Sequence, residues 1–206
     1  MIIASPQKPA KFEQAMNSLS WVAMAQPVEE RRVNLFCSSG EVFLDGNPVA
    51  QDDLRAVEDG GFMRQIVASL EGEDGTHVKG IFHGGSYYCY DLLSFRNNYL
   101  IYEPYAVRLQ LLDVFLCGRE HLMGRLPTAY SVADKMQMMS DQIGRRPPTC
   151  IMLFNTEKTF SPRERHERRF NSMMVTPRDM GALYQMMGGA QPETRFQNVG
   201  NLSVPS

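Results

Sequence analysis

The residues most able to do chemistry fall into two late arginine groups, an early set of carboxylates and a few isolated bases. Arg145 and Arg146 precede a Pro-Pro pair, and Arg163, Arg165, Arg168 and Arg169 alternate with Glu164, His166 and Glu167. Arginine forks match phosphate oxygens, so these six are the candidate nucleic-acid-binding residues. The competing reading is a solvated segment whose Arg and Glu neutralise each other. Asp52, Asp53, Glu71, Glu73 and Asp74 could gather a cation, yet they stand at turn and helix-cap positions and read as solvated. Lys79 is embedded in a strand and reads as the exposed arm of a hairpin, and His83, beside Gly84-Gly85, reads as a turn residue. Cys37, Cys89, Cys117 and Cys150 form no C-x-x-C pair and have no histidine at ligand spacing, so they read as core residues of a reduced protein. No metal and no cofactor is expected.

The bulk numbers suit one globular domain. The chain has 206 residues, 43% of them hydrophobic, and a formal net charge of -2, so no global charge draws it to nucleic acid or to an anionic membrane. Acidic clusters lie early and basic ones late. Residues 1-187 are expected to form the domain. Residues 188-206, rich in Gly, Pro, Gln, Asn and Ser without periodicity, are expected to form a flexible tail. No apolar run approaches the roughly 20 residues of a membrane span, and no apolar signal-peptide stretch opens the chain. A soluble, cytoplasmic protein is the expectation.

The elements that must position these residues follow from periodicity. Phe12, Ala15, Met16 and Leu19 mark a first helix over 9-20. Two strands, 21-27 and 31-37, flank a break after Pro27, and residues 41-44 continue a meander. A helix is expected over 52-70, bent at Gly60-Gly61, then a hairpin with arms 76-83 and 86-94. Helices are expected over 103-117, with Pro104 in its first turn, and 131-143, capped by Ser131. Strands are expected over 121-130, 150-154 and 170-175, and a last helix over 176-187.

Two stretches carry a family resemblance. Pro6 to Phe36, containing WVAMAQPVEERRVNLF, resembles the start of the adenylation domain of ATP-dependent DNA ligases, where a short helix precedes W-x-A-Q-P-K-x-D-G-x-R. Farther on, Tyr90-Asp91-Leu92-Leu93, a loop and Y-E-P-Y-A-x-R-L-x-L-L are similar to that family's F-D-L-L, loop and L-P-x-x-E-R-R-x-L-L. The resemblance implies an α+β adenylation-domain fold, antiparallel sheets with flanking helices. No OB-fold of the kind such ligases carry after this domain is expected in these residues.

In that family a lysine amine attacks the α-phosphate of ATP while carboxylates and a metal ion balance the polyphosphate. The nucleophile position holds Val28, and the following D-G falls on Glu30-Arg31. Ile81 stands where the D-G-E glutamate belongs, Thr149 begins the strand that should read E-G-x-V-x-K, and the final K-x-K strand falls near Asn171 to Val175 without lysine. The expectation is therefore a catalytically inactive ligase-like domain with no catalytic residue, acting as a protein-binding or inhibitor-like module. Its cleft, lined by Val28, Ile81 and residues 150-154, is expected to have collapsed or to be covered by the chain's own tail or a partner. Methionines at 136, 138, 139, 173, 174, 186 and 187 suit an adaptable protein-binding surface, although helix-core packing is expected to explain most of them. The alternatives are DNA or RNA binding through the arginines and a divergent nucleotidyltransferase.

Overall fold

The computed structural model describes residues 2-28, 32-49, 60-83, 86-159 and 172-189. Over these the chain is α+β, with two sheets and five helices. The first sheet has the order β1 (Ile2–Ile3), β12 (Ser172–Val175), β11 (Thr149–Asn155), β2 (Trp21–Pro27), β10 (Thr128–Ala129). All its pairings are antiparallel except β1 with β12, which is parallel. The second has the order β5 (Asn47–Pro48), β4 (Glu41–Leu44), β3 (Arg32–Ser38), β6 (His77–His83), β7 (Ser86–Phe95), β8 (Asn98–Tyr99). Beside this path β9 (Met123–Arg125) pairs with β7 in parallel.

The helices form where apolar spacing and caps coincide. α1 (Ala10–Asn17) buries Phe12, Ala15 and Met16. α3 (Tyr105–Leu116) follows Pro104 and buries Tyr105, Arg108, Leu109, Leu112, Phe115 and Leu116, the spacing of one broad helical face. α4 (Val132–Gln142) starts at Ser131, whose hydroxyl accepts the Asp134 N–H at 3.0 Å and donates to the Asp134 carboxylate at 2.7 Å. α5 (Pro177–Met186) repeats the device with Thr176 and Asp179. Two cores result. One lies between the second sheet, α3 and α2 (Gly60–Ser69), and the other between the first sheet and α1, α4 and α5.

The structure departs from the sequence reading in several places. Residues 121-130 are not one strand: β9 joins the second sheet and β10 the first, so the stretch bridges the two. The described part of α2 begins at Gly60; residues 50-59, with Asp52 and Asp53 and the stretch before the break or bend expected at Gly60-Gly61, lie outside the described residues. Cys37, Cys89 and Cys150 are buried as expected, but Cys117 is exposed where α3 ends. Among the methionines, Met136, Met138, Met139, Met173 and Met187 pack inside or against the second core, in line with the core-packing reading, and Met186 is exposed. No helix among the described residues is long and apolar enough to cross a membrane.

Glu73 corrects the reading of its acidic run as solvated. Its side chain is 5% exposed, held by Arg96 at 3.0 Å and Arg119 at 2.7 Å, because the turn after α2 folds beneath α3. The hydrogen bond from Arg96, and then that from Arg119, hold its pKa below the usual carboxylate value against the opposing effect of burial. Lys135 is fully buried, and its ammonium donates to the carbonyls of Ala15, Met16 and Ser18 at 3.2, 3.2 and 2.6 Å. It closes the C-terminal end of α1, whose last carbonyls lack helical partners.

Two predictions follow from these anchors. Lys135→Met keeps the stem's bulk but leaves those carbonyls without a donor, so urea unfolding should show a loss of about 1–3 kcal/mol. Glu73 has a folded pKa below its unfolded value of about 4.3, so its contribution is full above that value and is lost as pH falls through the folded pKa. The stability gap between the parent protein and Glu73→Gln, measured by denaturation from pH 7 downward, should narrow only in that acid window; a gap independent of pH would contradict it.

Candidate functional site

β2 ends in the first sheet at Pro27 and β3 begins in the second at Arg32, so the chain crosses between sheets at the break in its sequence pattern. Alternation along β2 sends Ala23 and Ala25 toward the helices and Val22 and Met24 toward the second sheet. Gln26 continues the second row. It is 2% exposed, and its Oε1 has no hydrogen-bond partner among the described residues. Leaving a buried amide oxygen unpaired costs about 1–3 kcal/mol.

Gln26 borders a cavity of about 280 Å³ between the sheets. Arg32 enters from β3, Lys79 from β6, Arg108 from α3 and Lys158 from the turn after β11, with Ser172 of β12 completing the rim. Asp91 is the carboxylate among the described lining residues, and Arg108 engages both of its oxygens at 2.8 and 3.3 Å, with both side chains almost fully buried. Arg32 approaches the Met152 sulfur at 3.8 Å. Among the described lining residues the cations therefore outnumber the carboxylates. Burial lowers the Lys79 pKa; Asp91 opposes that, and Arg108 and Arg32 reinforce it. A bound anion would reverse the electrostatic part.

Local folding explains how Lys79 comes to face the cavity. The β6–β7 register shifts between Lys79 and Gly80, a bulge of the kind that re-aims a side chain. Gly80 is required there: a Cβ would lie 2.5 Å from the Tyr87 ring and 2.6 Å from the Tyr88 carbonyl oxygen. The Tyr87 hydroxyl in turn donates to the Val33 carbonyl at 2.8 Å, fastening β7 behind β3. Lys79 is thus half-buried in the cleft wall, which corrects its reading as an exposed hairpin arm.

The aromatic side of the cavity is already packed. Tyr90 and Phe154 lie nearly parallel with centroids 6.3 Å apart, and Tyr105 packs on Phe154 at 5.1 Å. A planar ring inserted between two others needs roughly 7 Å from plane to plane. The Tyr90–Phe154 gap therefore holds no base in this arrangement, whereas the charged side is open.

Three of the four replaced family positions come together. Val28 and Ile81 border a second cavity of about 220 Å³, along with Cys150 and Met174. Ile81 and Thr149 border a third of about 690 Å³, which Arg145 and Arg146 also line. Glu30 lies outside the described residues, as do Arg163, Arg165, Arg168 and Arg169. Among the described residues the cleft has not collapsed, and Gln26, Arg32 and Lys79 line it beside the apolar replacements; residues 190-206, of the tail expected as its alternative cover, lie outside the described residues. Sequence reading missed Gln26, Arg32 and Lys158. The available signal was a glutamine ending an apolar row and an arginine opening the next strand.

Val28, 51% exposed at the crossover, carries no nucleophile. Among the described residues no three His, Cys, Asp or Glu side chains come together to hold a metal ion.

No family model matches the chain, and no curated protein matches it. Solved structures do. A mycobacterial DNA ligase D complexed with ATP and MES has 14% sequence identity and a TM-score of 0.53, with 76% of this chain and 54% of that one covered. The ligase domain of M. tuberculosis LigD has 12% identity and the same TM-score, with 76% and 53% covered. The chain spans about half the length of these two structures. At such identity the likeness establishes architecture: an α+β, ATP-dependent ligase-like fold built from antiparallel sheets and flanking helices.

Proposed function

We propose that this chain is a non-catalytic ligase-like domain that binds a small phosphate-bearing anion between its two sheets and forms no covalent adenylate. The observation that carries the reading is the unpartnered, buried Gln26 amide oxygen beside Arg32, Lys79 and Lys158. Each part has a chemical role. Arg32 and Lys158 supply charge and donors, Lys79 supplies a partly desolvated ammonium, and Gln26 accepts a hydroxyl or protonated phosphate oxygen of the ligand. Arg108 stays with Asp91 and shapes the wall.

The non-catalytic half rests on Val28, since an isopropyl group cannot attack a phosphate. The protein-binding role expected from the sequence takes the old cleft or its apolar replacements as a surface, and the cations around the open cavity support a small anion better. A cavity near 280 Å³ sits just under the usual range for small-molecule sites, about 300–1,000 Å³, which suits a phosphate or pyrophosphate group.

Two measurements test this. Incubation with α-labelled ATP and magnesium should leave no label on the denatured protein, for the parent and for Val28→Lys alike, because Ile81 and Thr149 leave the polyphosphate without carboxylates; a lysine-linked label in either would refute the non-catalytic half. Inorganic pyrophosphate at a hundredfold excess over its Kd should stabilise the parent by about 2.7 kcal/mol. Lys79→Met should need at least tenfold more pyrophosphate for the same thermal shift, and a parent melting curve unmoved by pyrophosphate would refute the anion site.

A further inference from the structure

The cavity of about 690 Å³ falls inside the usual range of small-molecule sites, about 300–1,000 Å³, and the anion reading makes no use of it. Asp134, Met138, Asp141 and Gln142 stand at helical spacing on α4, so one stripe of that helix lines the cavity. Ala25, Leu126 and Ala129 add apolar surface, and Arg145 and Arg146 line it on the loop after the helix. Two lining side chains are buried with spare donors. Thr149 is 6% exposed and Gln142 9%, and the Gln142 Oε1 accepts from Arg145 at 3.3 Å. Among the described residues neither the Thr149 hydroxyl nor the Gln142 amide nitrogen has a hydrogen-bond partner. Buried polar groups normally have one.

From this arrangement we infer that the cavity takes the carboxyl-terminal end of a partner polypeptide. Arg145, Arg146, the Thr149 hydroxyl and the Gln142 amide hold its terminal carboxylate, and Asp134 meets a basic side chain a few residues earlier. The inference stands on a different cavity from the anion reading and does not depend on it. All four groups at the carboxylate end donate, and a carboxylate only accepts. Charge excludes a polyanion: with His83 neutral, Asp134 and Asp141 offset Arg145 and Arg146 among the described lining residues. Asp141, in the last turn of α4, stands next to the arginines in sequence. It favours a group of one negative charge there over a phosphate monoester, which carries nearly two.

Length separates a peptide from a free amino acid. Asp134 lies in the first turn of α4 and the arginines follow its last turn, so at 1.5 Å per residue the two ends of the stripe are about 15 Å apart. An amino acid has its ammonium and carboxylate on one carbon and spans only one end. Four extended residues, at about 3.3 Å each, cover roughly 13 Å, and a lysine or arginine side chain closes the rest. Between the ends, Met138 and Leu126 offer apolar contact, and methionine adapts to side chains of different shape. Asp134 bonds Ser131 and Asp141 bonds Gln137, both neutral, so each keeps its charge for the ligand.

A pool of tetrapeptides tests the inference: lysine or glutamine first, the middle two positions varied, an apolar residue last, each made with a carboxylate or an amide end. Acetylation of the amino end stands in for the preceding chain. After incubation with the full chain and ultrafiltration, mass spectrometry of the retained peptides should show acids enriched at least tenfold over amides, and lysine-first acids at least threefold over glutamine-first ones. The exposed pair Arg145→Gln/Arg146→Gln should erase the preference for acids. Thr149→Val, which keeps the side chain's shape, should weaken the acids and leave the amides unchanged. Asp134→Asn should remove the lysine preference alone. Equal retention of acids and amides by the parent overturns the inference, as does retention of no peptide at all. Retention only of peptides with a free amino end overturns the assignment to a partner's terminus.

Discussion

The ion pair between Asp91 and Arg108 is the interaction on which the cleft depends. It joins β7 to α3 with both partners almost excluded from water, and the rest of each group is satisfied: Asp91 also accepts the Leu92 N–H at 2.9 Å, and Arg108 donates to the Glu103 carbonyl at 2.8 Å. Burying two charges is repaid only with such geometry, and removing one partner from a pair of this kind costs about 3–5 kcal/mol. The Tyr105 hydroxyl adds a bond to the Tyr90 carbonyl, so α3 is fixed to β7 at neighbouring points. The same pairing decides the electrostatics of the cavity. Asp91 also acts on Lys79 across the cavity, opposing the lowering of its pKa by burial.

Around this joint the two sheets are connected by chain crossings that also build the cavities. The passage from β2 to β3 carries Val28, and residues 121-130 return from the second sheet through β9 to β10 in the first. α4 then follows β10, and Lys135 on it reaches the end of α1. Helix, sheet and loop are thus positioned together. The 690 Å³ cavity has α4 as one wall and the β6–β7 hairpin as another, so its shape depends on how the sheets are held apart.

What was legible in the sequence was mainly local. α1, α3 and α4 follow apolar spacing with Pro or Ser at their starts, and the β6–β7 hairpin follows β-rich arms around two glycines. Asp91 and Arg108 lie in the stretch that carried the second resemblance, so the joint was visible as a pattern although its geometry was not. The misses are long-range. Nothing near residue 2 announces a parallel pairing with residue 173. Glu73 looked solvated because its partners lie 23 and 46 residues away. Lys79 looked exposed because strand alternation assigns it a face but cannot say that a second sheet covers that face. Gln26 was overlooked for the same reason: one polar residue in an apolar strand stands out only once its surroundings are known to be closed.

The replacements divide the family chemistry into two separable properties. Covalent catalysis needs a nucleophile at one point, and Val28 removes it outright. Attraction for an anion is spread over several cations, so no single replacement abolishes it, and Ile81 and Thr149 remove no positive charge from this fold. Cations gathered in a partly desolvated cleft repel one another, which is why neighbouring Arg32 and Arg108 reinforce the effect of burial in lowering the Lys79 pKa. That repulsion makes the unliganded cleft less stable than it would be with neutral walls, and a bound anion relieves it while donating to or accepting from Gln26. Binding free energy and fold stability are then the same quantity seen from two sides. On the proposed reading, a fold with valine at the family's nucleophile position and cations around its cleft keeps a reason to bind an anion.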